Sequence, residues 1–348
     1  MRRFSVGIAL IAALALIGWA QAASAPQPYK VVKTAKVGGA GGFDYVYADV
    51  AGRRLYIPRT GTTPRVTVFD LDTLEPVGEI STTSARGVAV DPASNHGFCS
   101  SKPVVMWDTK TLATIKTIDI QGNPDGILFD PFNARVYVFS HSAPNATVIE
   151  AKDGSVVGTI DLGGAPEQAV TDGRGHLYVT IEDKDNVAVV DAKTLAVTAH
   201  YDLGGKGGGP AGLAFDVKNH LLFAACHQPA TMVVLDANDG KILDALPIGT
   251  GVDGAVFNPA TMEAFSSQGD GTLTVVTEKS PTSFVIAQNV ATQRGAKTLT
   301  LDTKTNRILL IAAEYTPPPT PPTPPPAGTR GGRGQMVPDS FAILVVAK

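Results

Sequence analysis

An acidic or amide residue recurs through most of the chain at intervals of 39 to 44 residues, each time at the end of a short apolar segment. The residues that share this position are Asp49, Asp91, Asp130, Asp172, Asp216, Asn258 and Asp302. In the repeat at 166–208, three more short apolar or alternating segments follow, separated by turn residues. This pattern predicts a four-stranded antiparallel sheet, which buries its faces only by stacking on copies of itself.

Seven repeats of this length predict an all-β fold, a single seven-bladed β-propeller with four-stranded antiparallel blades. The last repeat supplies only three strands, because a Pro- and Gly-rich loop insertion at 316–339 is followed by one final strand. The segment at about 29–37 precedes the first repeat and belongs to none of them. We therefore predict that it completes the last blade and closes the ring, which removes exposed sheet edges.

Residues 1–22 have the pattern of a secretory signal peptide. Arg2 and Arg3 precede an apolar run that ends at Trp19, and Ala20-Gln21-Ala22 resembles a cleavage site. The run is shorter than the roughly 20 residues that span a bilayer, so no membrane span is expected after cleavage. We predict a periplasmic or secreted monomer whose propeller occupies residues 23–348.

Composition and cysteine placement limit the possible functions. The formal net charge of -3 gives no basic field for nucleic acid, so we do not expect a nucleic-acid partner. Only Arg330 and Arg333, in a Gly-rich stretch, favour single-stranded nucleic acid. Cys99 and Cys226 lie in blades too far apart for a disulfide, which predicts two free, buried thiols.

The repeat also resembles a known family. Leu177-Tyr178-Val179-Thr180, followed by the segment at 186–191 and by Thr194-Leu195, is similar to the YVTN repeat of bacterial and archaeal β-propellers, which include the YncE-like periplasmic proteins. Arg135-Val136-Tyr137-Val138 matches the same position in another repeat. The resemblance implies an exported seven-bladed propeller that acts as a binding protein, and single-stranded DNA binding is attributed to a relative. It implies no catalytic residues.

Charged residues concentrate at the start of the innermost strand of each predicted blade, five positions before the turn residue. In a propeller these positions surround one mouth of the central channel, where ligands of such rings tend to bind. The residues at this position are Asp44, Arg86, Asp125, Glu167, Ala211, Asp253 and Lys297. One interpretation is a ring of compensating ion pairs. The other is a ligand site, because Asp125 and Glu167 have no basic residue between their blades.

Loops between second and third strands add Glu182, His227 and His141 to the same sector. Carboxylates and imidazoles that converge there are suited to a divalent metal, a candidate cofactor, with Asp125, Glu167, His141 and His227 as ligands. They are also suited to acid/base hydrolysis of a lactone or small ester.

The sequence favours an exported binding or scaffold protein over an enzyme. Its partner at the channel mouth is then an unidentified small molecule, peptide or protein. The alternatives are a small-molecule hydrolase or metal-assisted enzyme at the same mouth, and a single-stranded nucleic-acid binder. The sequence contains no haem-attachment motif, nucleophile elbow or dinucleotide fingerprint.

Overall fold

Short segments of apolar and alternating residues form 28 β-strands in this computed structural model, which describes residues 27–143, 145–317 and 334–348. The strands make seven four-stranded antiparallel sheets arranged in a ring, so the predicted seven-bladed propeller is confirmed. The predicted signal peptide at 1–22 and most of the insertion at 316–339 lie outside the described residues.

The first strand, β1 (Lys30–Lys36), precedes three blades of consecutive strands. Blade one contains β2 (Tyr47–Asp49), β3 (Arg54–Arg59), β4 (Arg65–Asp70) and β5 (Pro76–Ser81). Blade two contains β6 (Val88–Asp91), β7 (His96–Cys99), β8 (Val104–Asp108) and β9 (Thr114–Ile118). Blade three contains β10 (Pro124–Asp130), β11 (Arg135–Ser140), β12 (Ala146–Glu150) and β13 (Val156–Ile160).

The next three blades repeat this order. Blade four contains β14 (Pro166–Thr171), β15 (His176–Ile181), β16 (Asn186–Asp191) and β17 (Ala196–Asp202). Blade five contains β18 (Pro210–Asp216), β19 (Leu221–Cys226), β20 (Thr231–Asp236) and β21 (Ile242–Pro247). Blade six contains β22 (Val252–Asn258), β23 (Glu263–Gln268), β24 (Thr272–Ser280) and β25 (Ser283–Ala291).

Blade seven joins the two ends of the chain. It contains β26 (Leu299–Asp302), β27 (Arg307–Ala312) and β28 (Ala342–Ala347), and β1 pairs antiparallel with β28 as the fourth, outermost strand. The predicted closure by the N-terminal strand is therefore confirmed. The base of the insertion is held by an isolated bridge between Tyr315 and Met336.

Apolar side chains pack between neighbouring blades rather than inside any one sheet. Trp107 of blade two is fully buried and packs against Tyr56 of blade one, with ring centroids 5.7 Å apart. Tyr178 and Phe215 make the equivalent contact between blades four and five at 5.2 Å. Full burial of one such side chain contributes about 1.5 to 3 kcal/mol. Each blade therefore depends on both of its neighbours.

The two cysteines, Cys99 and Cys226, are free and buried, as predicted. Burial raises the pKa of each thiol to about 12, so neither is a thiolate near neutral pH. This protonation state argues against a nucleophilic role for either residue.

Helical structure is limited, among the described residues, to one 3-10 turn at Glu182–Lys184. Nowhere in those residues is there a helix with the length and apolar character needed to cross a membrane.

Tyr29, immediately before β1, attaches the closing strand to blade six. Its hydroxyl donates a hydrogen bond of 2.6 Å to the carboxylate of Glu263. Its ring stands edge-on to Phe265, with centroids 5.2 Å apart, and the ammonium of Lys348 lies 4.7 Å above it. The side chain therefore combines apolar packing with a charge-assisted hydrogen bond.

We expect Tyr29→Ala to lower the free energy of unfolding by about 3 to 4 kcal/mol, because it removes a buried aromatic ring and the hydrogen-bond donor to Glu263. Urea unfolding followed by circular dichroism measures the change. Val32→Ala is the control, since Val32 lies on the same strand with 46% of its surface exposed. Equal stability of the two variants would contradict this account of the closure.

Two buried carboxyl groups meet on the face opposite the charged mouth. Glu278, on β24, is 6% exposed and accepts a 2.6 Å hydrogen bond from the amide of Asn219. Burial, together with the neighbouring carboxylate of Asp216, raises the pKa of Glu278 to about 7. The folded protein therefore holds a proton that the unfolded chain, with an ordinary glutamate, releases near pH 4.5.

The free energy of unfolding should fall as the pH rises from about 5 to 7, since the folded state binds the Glu278 proton more tightly than the unfolded state does. We expect Glu278→Gln to remove about 1 to 2 kcal/mol of this pH-dependent change. Urea unfolding at pH 5, 6 and 7 measures the slope. Glu75→Gln, at an exposed position, should keep the wild-type slope. A wild-type slope in Glu278→Gln would show that another group is responsible.

Candidate functional site

The charged residues lie at the starts of the inner strands or two to three residues before them, and basic side chains link several blades there. Arg86 of blade two lies 2.8 Å from the carboxylate of Asp44 in blade one and 3.9 Å from that of Asp125 in blade three. Lys297 forms an ion pair with Asp253 of blade six. The structure thus contains the compensating pairs that the sequence suggested.

His141 lies between the two carboxylates that had no basic residue between their blades. It follows β11, and its Nε2 atom is 3.1 Å from Oδ2 of Asp125 and 3.0 Å from Oε1 of Glu167. The imidazole therefore joins blade three to blade four. Sequence reasoning identified all three residues but gave no indication that the histidine bridges the carboxylates.

The pKa values of His141 and Asp125 are both shifted by their neighbours. The hydrogen bond to Glu167 raises the pKa of His141 to about 9, against the opposing effect of burial. Burial and the charges of Asp44 and Glu167 raise the pKa of Asp125 to about 6. Near neutral pH a protonated imidazole therefore neutralises part of this acidic sector.

Tyr45 lies below the mouth and reaches across the channel from blade one. Its hydroxyl is 3.3 Å from Oε2 of Glu167 in blade four. Burial, followed by the charges of Glu167 and Asp125, raises the pKa of Tyr45 well above its ordinary value. The phenol therefore stays neutral and acts as a hydrogen-bond donor toward the carboxylates.

Gln168 crosses the channel from blade four to blades five and six. Its carbonyl oxygen accepts hydrogen bonds from the backbone N–H groups of Leu213, at 2.9 Å, and Ala255, at 3.0 Å. Its side-chain amide donates to the carbonyl of Ala255 at 2.9 Å. We call the cluster of charged side chains beside Tyr45 and Gln168 the mouth cup; it consists of Asp44, Arg86, Asp125, His141, Glu167, Asp253 and Lys297.

The sequence does contain a signal for Tyr45 and Gln168, one position after the six charged residues and Ala211. That position is occupied by Tyr45, Gly87, Gly126, Gln168, Gly212, Gly254 and Thr298. A Cβ atom on Gly212 would lie 2.8 Å from the carbonyl carbon of Gly254, so the inner strands of blades five and six approach closely. The four glycines at this position leave room in the channel for the side chains of Tyr45 and Gln168, which enter it from blades one and four.

A wide groove of about 980 Å³ lies along blades four to six, and the charge of Glu182 in its lining acts on His141 of the mouth cup. Glu182 and His227 line it together with Asp183 and Asp185, and Nε2 of His227 lies 3.9 Å from Oε1 of Glu182. The structure therefore places His227 against Glu182. It does not bring His227 into the group formed by Asp125, His141 and Glu167.

Three of the four predicted metal ligands meet in one place. One ligand atom from each of Asp125, His141 and Glu167 lies within 4.8 Å of the others, and no other such group of three or more ligand residues occurs in the described part of the chain. Imidazole and carboxylate ligands in this combination are suited to first-row divalent metals. Three protein ligands with further positions open are also the arrangement of catalytic zinc sites.

The fold defines the chain as a seven-bladed β-propeller. Comparison with models of known protein families, and with curated proteins, finds no match. The fold is therefore assigned from the architecture, and any function has to be argued from the geometry of the mouth cup. Arg330 and Arg333, the basic residues considered for nucleic acid, lie outside the described residues.

We expect Gln168→Ala to lower the free energy of unfolding by about 2 kcal/mol, because three backbone groups of blades five and six lose their hydrogen-bond partner. Thermal melting of the purified protein measures the loss. Gln121→Ala, at an exposed position in a blade connection, serves as the control. Matching melting temperatures for these two variants would show that Gln168 does not bridge the blades.

Proposed function

We propose that the chain is an exported β-propeller binding protein whose mouth cup holds a divalent metal ion as the anchor for its ligand. The observation that carries this proposal is the convergence of Asp125, His141 and Glu167 within 4.8 Å. Export to the periplasm or beyond is supported by the signal-peptide pattern at 1–22.

The charges of the mouth cup support a cationic occupant. Arg86 is committed to Asp44 at 2.8 Å, and Lys297 is committed to Asp253. The remaining carboxylates, Asp125 and Glu167, share the imidazole of His141 at 3.1 and 3.0 Å, and Arg86 reaches Asp125 only at 3.9 Å. Asp125, Glu167 and the neutral imidazole of His141 would hold a divalent cation in this position, and its charge would balance the two carboxylates in place of the imidazole proton.

The groove along blades four to six offers a place where the ligand can bind next to the proposed metal ion. It is about 980 Å³ in volume and is lined by Glu182, whose charge acts on His141. A recess of this size accepts a small molecule or a short peptide segment. An extended peptide or small polar molecule that contacts both the metal and the groove fits this arrangement.

A metal-assisted hydrolase is the second candidate, favoured by the same three ligands with open positions. Asp125, His141 and Glu167 would hold the metal ion, which would supply the chemistry of such sites, a lowered pKa of bound water and polarisation of a carbonyl oxygen. Single-stranded nucleic acid is the weaker third candidate, because the mouth cup and groove carry more acidic than basic groups and the formal net charge is -3.

Zn²⁺ and Mn²⁺ binding to the metal-free mature protein, measured by isothermal titration calorimetry, tests the proposal. We expect one site per chain, with affinity reduced at least about tenfold in Glu167→Gln and in His141→Gln. His176→Gln is a matched control, because His176 is paired with Asp172 at 2.9 Å, away from the cup. Its affinity should equal that of the wild type.

Failure of both metals to bind, or equal affinities in all four proteins, would refute the metal anchor. Lactone hydrolysis by the metal-loaded protein that disappears in Glu167→Gln would instead establish the hydrolase. Retention of single-stranded DNA that falls steeply with salt would favour the nucleic-acid candidate.

A further inference from the structure

A second concavity lies at the outer rim, between the closing strand β1 and blade one. Its volume is about 420 Å³, and its charged lining consists of Lys33, Lys36, Arg59, Arg65, Glu75 and Glu79. We call it the closure cleft. It holds four cationic side chains and two carboxylates in a chain whose formal net charge is -3, so its local charge is opposite to that of the whole protein.

Arg59, at the end of β3, contributes a buried guanidinium. The residue is 1% exposed, and its Nη2 atom donates to the carbonyls of Gly39, at 3.1 Å, and Gly41, at 3.0 Å. Its charged end lies 3.7 Å from the ring centroid of Phe341. Among the described residues, no ion pair includes Arg59, and the carboxylate whose charge acts on it, that of Glu79, pairs with Arg65 instead. A buried charge without a counter-ion is costly.

Arg65, at the start of β4, lies beside Arg59. Both guanidinium groups donate to the carbonyl of Ala40, at 3.3 Å from Arg59 and 3.5 Å from Arg65. Burial and the charge of Arg65 lower the pKa of Arg59 to about 10. One carboxylate, that of Glu79, pairs with Arg65 at 2.9 Å, and its side chain is 57% exposed. The two adjacent arginines thus share one counter-ion, the solvent-exposed carboxylate of Glu79.

The closing strand adds two further cations from the other side of the cleft. The ammonium of Lys33 donates to the carbonyl of Thr73 at 2.9 Å, across the gap between β1 and blade one. Lys36 is an exposed residue at the end of β1 and also lines the cleft. Cations from two separate blades therefore face one small volume.

We propose that the closure cleft binds a small multivalent oxyanion, a phosphate or a dicarboxylate, between Lys36 on β1 and Arg65 on blade one. The anion adds a second counter-charge to the pair Arg59 and Arg65, which have only the carboxylate of Glu79 between them, and guanidinium groups are well suited to planar or tetrahedral oxyanions. Because its two sides belong to different blades, the bound anion also links the closing strand to blade one and stabilises the ring.

Thermal melting and isothermal titration of the mature protein with sodium phosphate and sodium succinate test this site, with sodium chloride at equal ionic strength as the reference. At saturation we expect the melting temperature to rise by about 4 °C above the chloride value. Lys36→Gln should weaken anion binding about tenfold. Lys30→Gln is the matched control, because Lys30 lies on the same strand outside the cleft.

Binding of phosphate or succinate that depends on Lys36 and not on Lys30 supports the proposal and identifies the preferred anion. Equal stabilisation by chloride, or affinities that are the same in Lys36→Gln, Lys30→Gln and the wild type, would overturn it. Both lysines are exposed, so each variant should fold. The mouth cup is not altered by either change, so this outcome is independent of the metal titration.

Discussion

The pairing of β1 with β28 is the interaction on which the rest of the structure depends. A four-stranded blade buries its faces only against two neighbours, so an open ring would leave blades one and seven each with an apolar face in water. Pairing the two chain ends in one sheet brings these blades together. Tyr29 and its hydrogen bond to Glu263 extend the same closure to blade six.

A closed ring also explains why the functional candidates meet. Each blade presents the same position of its inner strand to the channel, so residues about 42 positions apart in sequence become neighbours in space. Asp125 and Glu167, which are 42 residues apart, both lie about 3 Å from one imidazole. Exposed ion pairs such as that of Arg86 contribute little to stability, so the cup's arrangement is set by the sheets that carry it.

The sequence predicted the fold well, because periodic turn residues and alternating strands repeat seven times and each repeat confirms the others. It also placed Asp44, Arg86 and Lys297 at one mouth, since their position within the repeat is fixed. It did not predict the bridge made by His141 or the separation of His227 from the metal ligands. Those depend on loop conformations after the second strands, which the repeat does not determine.

The mouth cup and the closure cleft are joined through one short segment of chain. The segment at 38–42 leaves β1, accepts hydrogen bonds from Arg59 through the carbonyls of Gly39, Ala40 and Gly41, and then leads directly to Asp44 and Tyr45. Because Arg59 fixes the path of this segment, it also fixes where blade one places its carboxylate and its phenol in the cup. The hydrogen bonds of Arg59 to the segment that follows the closing strand therefore also position the residues that blade one contributes to the candidate site.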